Sequence, residues 1–204
     1  MRPVAVELLT GTALYRRVIV DKLLGATDSV LIATANVKEL YIEGGPRGIR
    51  GGYRSILDAF DELARRGVTL KLLHAEVPSR PFRATFEDKS RLTGGGLALK
   101  ICPRVHFKAV IVDGKWVYLG SANLTGAGLG AKDEHRRNFE LGFVTEDYET
   151  IDRVTALFEA VWSGAECAAC KLRDICPDPI GPAAPPKRAV RGARATSGLR
   201  RSRR

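Results

Sequence analysis

The chain has 204 residues, 45% of them hydrophobic, which is enough to bury one good core and hardly two. No stretch approaches the roughly 18 consecutive apolar residues of a membrane span, and Glu7 interrupts the apolar core that an N-terminal signal peptide needs. These features argue against a membrane-spanning or exported protein, so a cytoplasmic protein is expected. The formal net charge of +10 indicates an anionic partner.

Hydrophobic periodicity predicts strands and helices that alternate along the chain. The apolar run SVLIAT indicates a buried strand, and Ile56, Leu57, Phe60 and Leu63 line one side of an amphipathic helix that Gly67 ends. Helices are expected over 13–24, 53–66, 87–92 and 147–162, and strands over 29–34, 68–73, 97–101, 106–112, 115–119 and 139–144. Strands separated by helices predict a mixed α/β sheet with helices on both faces.

One pair of these strands carries the groups that phosphodiester chemistry requires. His106 and Lys108 stand two residues apart on a strand and therefore point the same way. Asp113 lies where that strand turns, and the returning strand brings Ser121 and Asn123 back toward the same end. A histidine on a strand is often structural, and Gly-Ser-Ala-Asn alone is only a turn. The joint spacing favours a catalytic interpretation instead.

The spacing H-x-K-x4-D-x6-G-S-x-N resembles the HKD signature of the phospholipase D superfamily, with every position of the pattern filled. The resemblance extends to a glutamate downstream of the motif, Glu140, and to the helix and strand order of residues 1–165. It implies an α/β fold in which a phospholipase D-like mixed β-sheet is flanked by helices on both faces, with one HKD motif per chain. It also implies a hydrolase that acts on phosphodiester bonds.

The resemblance assigns a role to each residue of the motif. His106 forms a phosphohistidine intermediate, while Lys108, Ser121 and Asn123 neutralise the phosphate oxygens. Glu140 orients His106 through its second ring nitrogen. Asp113 belongs to the motif and to the candidate catalytic set, although it is better suited to fixing the local turn than to chemistry.

A second histidine is needed to protonate the leaving oxygen and to activate water. In the family two HKD motifs meet at one site, but this chain has only one H-x-K, because His74 and His135 are followed by Ala-Glu and Arg-Arg. A C2 homodimer with two facing His106 rings is therefore predicted. His74, at the end of a strand, is the alternative source of an acid or base within the chain.

The four cysteines give a separate signal. Cys167, Cys170 and Cys176 form a C-x2-C-x5-C segment over 166–177, and Cys102 stands four residues before His106. This arrangement resembles the iron–sulfur staple of RecB-type nucleases and predicts a structural 4Fe–4S cluster. Zinc is the alternative metal, and ordinary thiols without a metal are a third reading. No cofactor is expected to take part in catalysis.

Residues 178–204 form a separate basic tail in which eight basic residues stand against one acidic residue, a net charge of +7. Proline is frequent there and little can be buried, so the tail is expected to be disordered. Its charge suits nucleic acid or an anionic membrane surface, and a merely solubilising role is the plain alternative. A nuclease acting on DNA or RNA is the favoured function; a phospholipid phosphodiesterase and a non-catalytic nucleic-acid-binding module are the alternatives.

Overall fold

A mixed seven-stranded sheet forms the centre of the molecule in the computed structural model, which describes residues 2–44 and 52–182. The strand order is β1-β9-β8-β7-β2-β5-β6; β2, β5 and β6 run parallel, and the remaining neighbours are antiparallel. Strands β3 and β4 form a separate pair. The strands are β1 Glu7–Thr10, β2 Ser29–Thr34, β3 Tyr41–Glu43, β4 Tyr53–Ser55, β5 Thr69–His74, β6 Ala98–Ile101, β7 Lys108–Val112, β8 Trp116–Gly120 and β9 Leu141–Thr145.

Helices cover both faces of this sheet, which confirms the predicted layers. The first helical segment begins as α1 Thr12–Leu14 and continues as a π-helix over Tyr15–Lys22 and a 3-10 turn over Leu23–Gly25. The others are α2 Ile56–Arg65, α3 Arg80–Glu87, a π-helical turn Leu92–Gly96 and α4 Tyr148–Trp162, with 3-10 turns at Glu134–Arg136 and Arg173–Ile175. Helix α4 packs Ile151 and Phe158 on one face, whereas the earlier helices bury residues such as Ile19 and Phe60 on the other.

The second helix begins later than the sequence pattern predicts. Residues 53–55 form β4, which pairs with β3, and the helix starts at Ile56. Ser55 caps it by accepting a hydrogen bond from the Leu57 amide at 3.0 Å, while the Asp58 carboxylate accepts one from the Ser55 amide at 3.1 Å. This reciprocal capping box fixes the helix start and leaves Tyr53 outside it.

A short helix was predicted over 87–92, but α3 lies earlier, at Arg80–Glu87. Ser79 caps it through a hydrogen bond from the Phe82 amide, Pro81 stands in its first turn, and Phe82 is completely buried. Strand β1 was not predicted. It is four residues long and depends on pairing with β9, where Leu9 lies opposite Gly142.

No helix within residues 2–44 and 52–182 has the length and apolar character needed to cross a membrane. Most of the expected disordered tail over 178–204 falls outside the described residues. The division into a catalytic domain at 1–165, a cysteine segment at 166–177 and a basic tail stays a prediction.

Candidate active site

Four strand ends meet at one edge of the sheet and carry the predicted motif. The register pairs Ala33 of β2 with Ala109 of β7, Lys108 with Gly120 of β8, and Gly120 with Gly142 of β9. The carboxyl ends of β2 and β8 therefore lie beside the amino ends of β7 and β9. His106, Lys108, Ser121, Asn123 and Glu140 all lie at or just beyond this edge.

His106 and Lys108 share one face, as strand alternation requires. Phe107 and Ala109 pack into the core cluster beneath α4, which leaves the other two side chains on the opposite side. Lys108 is partly buried and its Nζ donates a hydrogen bond to the His106 carbonyl oxygen at 2.7 Å. His106 is exposed, and its ring makes no hydrogen bond to any part of the chain that the structure describes. The imidazole is accessible to a substrate.

Glu140 is held by two side chains other than His106. The Ser121 hydroxyl donates to the Glu140 carboxylate, and the Asn138 amide donates to Glu140 Oε1 at 3.3 Å. Ser121 Oγ also accepts a hydrogen bond from the Leu141 amide at 3.1 Å. The Ser121 hydroxyl proton is thereby directed at Glu140 in this structure.

Asn123 is fixed by the end of β2. Its Oδ1 accepts three hydrogen bonds, from Thr34 Oγ1 at 3.0 Å, the Ala35 amide at 3.1 Å and the Asn36 amide at 3.2 Å. Three donors around one atom identify it as the amide oxygen, so Nδ2 points away from β2. Sequence spacing could not reveal this contact, because the donors lie almost ninety residues earlier.

A cleft of about 750 Å³ opens beside Asn123. Tyr41 and Tyr53, each more than a third exposed, stand on the β3–β4 pair that forms one side. Lys38 and Lys132 line it, and neither has an ion-pair partner among residues 2–44 and 52–182. The remaining polar lining comprises Asn36, Glu39, Thr125, Asp133, Arg136 and Asn138. The cleft thus combines cations, amides and aromatic rings.

A glycine-rich loop after Asn123 shapes the floor of this cleft. A Cβ on Gly128 would stand 2.4 Å from the Asn123 carbonyl oxygen, and one on Gly130 would stand 2.7 Å from the Cα of Gly126. Arg137 secures the loop by donating to the Gly130 carbonyl at 2.6 Å and the Gly128 carbonyl at 2.7 Å. Burial lowers the pKa of Arg137. Arg137 therefore has a structural task that its place in a basic run does not reveal.

Asp113 lies at the opposite end of β7, about 17 Å from Lys108 for five strand residues. Its carboxylate accepts hydrogen bonds from the amides of Thr27, Asp28 and Ser29 at 2.8–3.1 Å and from the Thr27 hydroxyl at 3.0 Å. Its backbone has φ 54°. The structure thus joins Asp113 to the start of β2 and does not bring it to the other motif residues.

Replacing Asp113 with alanine should destabilise the fold by about 1–3 kcal/mol, because it leaves amide donors at the start of β2 without their acceptor. Partial burial opposes ionisation of Asp113, but the hydrogen bonds from Ser29, Asp28 and Thr27 outweigh it and lower the pKa. In the unfolded chain the pKa of an aspartate carboxyl is about 3.9. The stabilisation that the Asp113 carboxylate provides is therefore complete above that pH, and it is lost as the pH falls through the lower pKa of the folded state. Urea unfolding of both proteins at pH 7 and in acid measures this; a stability gap that persists unchanged in acid contradicts it.

His74 ends β5, with β2 between it and β7. The ring is buried, and its Nδ1 lies 2.8 Å from the Glu76 carbonyl oxygen. Burial lowers its pKa and outweighs that hydrogen bond, which favours the neutral ring. The contacts are those of a structural histidine.

The four cysteines converge on one small hollow. Cys102 follows β6, while the other three lie in the turns after α4, and all four are free thiols. Within residues 2–44 and 52–182, no three His, Cys, Asp or Glu side chains form a group that could hold a metal ion. The structure does place the four predicted thiols around one hollow.

A mixed α/β sheet with an H-x-K pair and a G-S-x-N turn at one strand edge defines the class of phospholipase D-like folds. The family model described as "Cardiolipin synthase, PLD-like domain" matches residues 19–162, so the chain belongs to the phospholipase D superfamily of phosphodiesterases. A search among curated proteins gives no match.

Two solved structures show the same fold. NucT from Helicobacter pylori is 17% identical with a TM-score of 0.54, and the match covers 78% of this chain and 96% of that one. Nuc from Salmonella typhimurium, a phospholipase D family member, is 20% identical with a TM-score of 0.52, covering 78% and 95%. At these sequence identities the comparison shows a shared fold only.

Proposed function

We propose that this protein is a nuclease that hydrolyses nucleic-acid phosphodiester bonds through a phosphohistidine intermediate, at a site that a second copy of the chain completes. The observation that carries the proposal is the position of the His106–Lys108 pair at the strand edge from which Asn123 enters a basic, tyrosine-lined cleft. NucT and Nuc, at 17% and 20% identity, share the fold with this chain.

The chemistry proceeds in two displacements at phosphorus. An imidazole nitrogen of His106 attacks, the bond to the leaving oxygen breaks, and the partner's His106 protonates that oxygen. Water then gives its proton to the same second histidine and attacks phosphorus, which breaks the phosphorus–nitrogen bond and restores His106. Lys108 and Asn123 Nδ2 neutralise the phosphate oxygens in both steps. No step uses a metal.

The remaining motif residues support these groups. Glu140, held by Ser121 and Asn138, is the carboxylate proposed to orient His106 when the site is complete, which makes Ser121 a positioning residue. Asp113 is proposed to act in folding alone, since its carboxylate is occupied at the far end of β7.

An exposed apolar face supports the second copy. Leu8 and Leu141 are 70% and 59% exposed, and strand register places both on the same face of the β1–β9 pair. Val6 extends this face by alternation, and Phe139, fully exposed, stands immediately before Glu140. Strand register puts this apolar face on the α4 side of the sheet, whereas His106 and Lys108 point to the other side, so the two features meet at the strand edge that carries Glu140. Exposed apolar surface at that edge suits a self-association face.

Nucleic acid fits the cleft better than a phospholipid does. Exposed tyrosines offer surfaces on which bases stack, and Lys38 and Lys132 offer charges to the phosphates between them. A lipid headgroup would fill only part of a cleft of about 750 Å³.

Incubating the purified protein with labelled single-stranded DNA, double-stranded DNA, RNA and anionic phospholipid vesicles, with and without EDTA, tests the proposal. We expect cleavage of nucleic acid that persists in EDTA, with the lipid untouched. Hydrolysis of the lipid alone would identify a phospholipid phosphodiesterase. Binding of nucleic acid without cleavage would identify a non-catalytic module.

The cleft has its own test within the same assay. Lys132→Ala should raise KM by about threefold to tenfold and reduce the log–log salt dependence of binding by about one charge, because one phosphate contact is lost. Lys115→Ala is the matched control, since Lys115 is an exposed lysine in the turn at the opposite end of β7. Equal effects of the two substitutions would contradict the cleft assignment.

A further inference from the structure

Residues 163–182, which follow α4, have a defined backbone path but form no hydrophobic core. None of residues 163–182 is buried, and Ile175, its largest aliphatic side chain together with Ile180, is 76% exposed. A segment of this length buries too little apolar surface to offset the conformational entropy that it loses. Some other interaction must hold it in place.

Backbone hydrogen bonds show that the segment nevertheless has a defined path. The Cys170 amide donates to the Cys167 carbonyl at 3.3 Å, and the Cys176 amide donates to the Arg173 carbonyl at 3.2 Å. Arg173 in turn donates to the carbonyls of Cys167 and Ile180, each at 3.1 Å, and to that of Gly181. These turns direct three cysteines to one side, but hydrogen bonds exposed to water stabilise too weakly to explain the order alone.

The fourth cysteine comes from the sheet. Cys102 stands directly after β6, and its amide donates to the His74 carbonyl at 2.7 Å, so it is anchored to the neighbouring strand. It lines the same hollow as Cys167, Cys170 and Cys176, which are at least 65 residues away in sequence. These four are all the cysteines in the chain. Every thiol in the chain therefore lines this one hollow, although the cysteines come from separate segments.

The surroundings suit an anionic centre. Arg104 Nη1 lies 3.9 Å from Cys170 Sγ, and both Arg104 and Arg173 line the hollow. Four thiolates around a divalent metal centre carry a net charge of about −2, which two guanidinium groups offset. The four sulfurs line one hollow, although no three His, Cys, Asp or Glu side chains among the described residues form a group that could hold a metal ion. Four cysteine thiolates are the ligand set of a 4Fe–4S cluster.

We propose that Cys102, Cys167, Cys170 and Cys176 hold a 4Fe–4S cluster as a structural centre that ties residues 163–182 to the end of β6. The centre supplies the stabilisation that the segment lacks, since ligation energy becomes folding energy where no core exists. It takes no part in the phosphodiester chemistry and does not depend on the proposed nuclease function. Its position four residues before His106 allows loss of the cluster to affect the active site indirectly.

The test is the metal content of protein expressed with added iron and purified without oxygen. Wild-type protein should be brown and absorb broadly at about 400 nm. It should contain about four irons and about four acid-labile sulfides per chain. Cys102→Ser and Cys170→Ser should each reduce iron to below about one per chain. Lys171→Ser, an exposed change between the same cysteines, should leave iron unchanged. The Cys102 variant is decisive, because Cys102 is distant in sequence from the other three cysteines. Iron binding requires it only if all four cysteines hold one cluster.

Limited proteolysis gives a readout apart from metal content and activity. Loss of the cluster should accelerate cleavage within residues 163–182 by about tenfold or more, since the segment then opens locally. If Cys102→Ser fails to fold, limited proteolysis is carried out instead on wild-type protein whose cluster has been destroyed by oxidation. Colourless protein with no metal overturns the proposal, and so does about one zinc per chain, which would assign the thiolates to a single ion.

Discussion

Replacing His106 with asparagine should reduce phosphodiester hydrolysis by about 10⁴-fold or more, because the substitution removes the nucleophile on which both displacements depend. His106 is exposed and its ring makes no hydrogen bond to the described part of the chain, so folding should be unaffected. The measurement is the initial rate on labelled nucleic acid, with circular dichroism and thermal unfolding as checks on the fold.

His135→Asn is the matched control, since His135 is the chain's other exposed histidine. It lies in the 3-10 turn Glu134–Arg136 and has no catalytic role in the mechanism. We expect its rate to stay within about twofold of wild type. A His106 variant that retains full activity would refute the catalytic assignment.

The second large effect concerns self-association. Phe139→Asp places a charge at a fully exposed position on the proposed self-association face, where it costs the monomer little and the dimer much. Dimer affinity should fall by about 30-fold or more, as expected for the loss of about 2 kcal/mol at an interface centre. Light scattering across a concentration series measures the affinity, and activity should fall in parallel with the dimer fraction.

Tyr148→Asp provides the comparison, because Tyr148 is 72% exposed and begins α4 beyond the opposite end of β9. It should leave both affinity and activity unchanged. An active protein that is strictly monomeric would show that the acid comes from within the chain, and His74→Gln would then be the variant to examine. The buried His74 ring and its contact with the Glu76 carbonyl argue against that outcome.

Short apolar runs in the sequence were enough to predict most of the strands of the sheet. Strands β2, β7 and β8 contain continuous apolar runs. The alternation around His106 and Lys108 correctly separated them from Phe107 and Ala109. Strand β1 was missed because four residues at an edge depend on pairing with β9, a contact distant in sequence.

The site was only partly predictable for the same reason. The motif spacing identified Asn123, but its amide is oriented by Thr34 at the end of β2 and by Asn36 just after it. The cleft depends on the close packing of glycine backbones and on Arg137, which in sequence is simply one of several basic residues. Spacing also suggested that the four cysteines act together, and their convergence required the turns after α4.

The most direct test of the central claim is mass spectrometry of the protein after rapid quenching with a nucleic-acid substrate. The mechanism predicts a phosphoramidate on His106, stable in base and labile in acid, that appears during turnover and is absent from the His106→Asn variant. Because the adduct joins the nucleic-acid phosphate to the imidazole, it reports the nucleophile, the substrate class and the reaction at once. Turnover at full rate with no adduct on His106, under conditions that slow its hydrolysis, would contradict the mechanism.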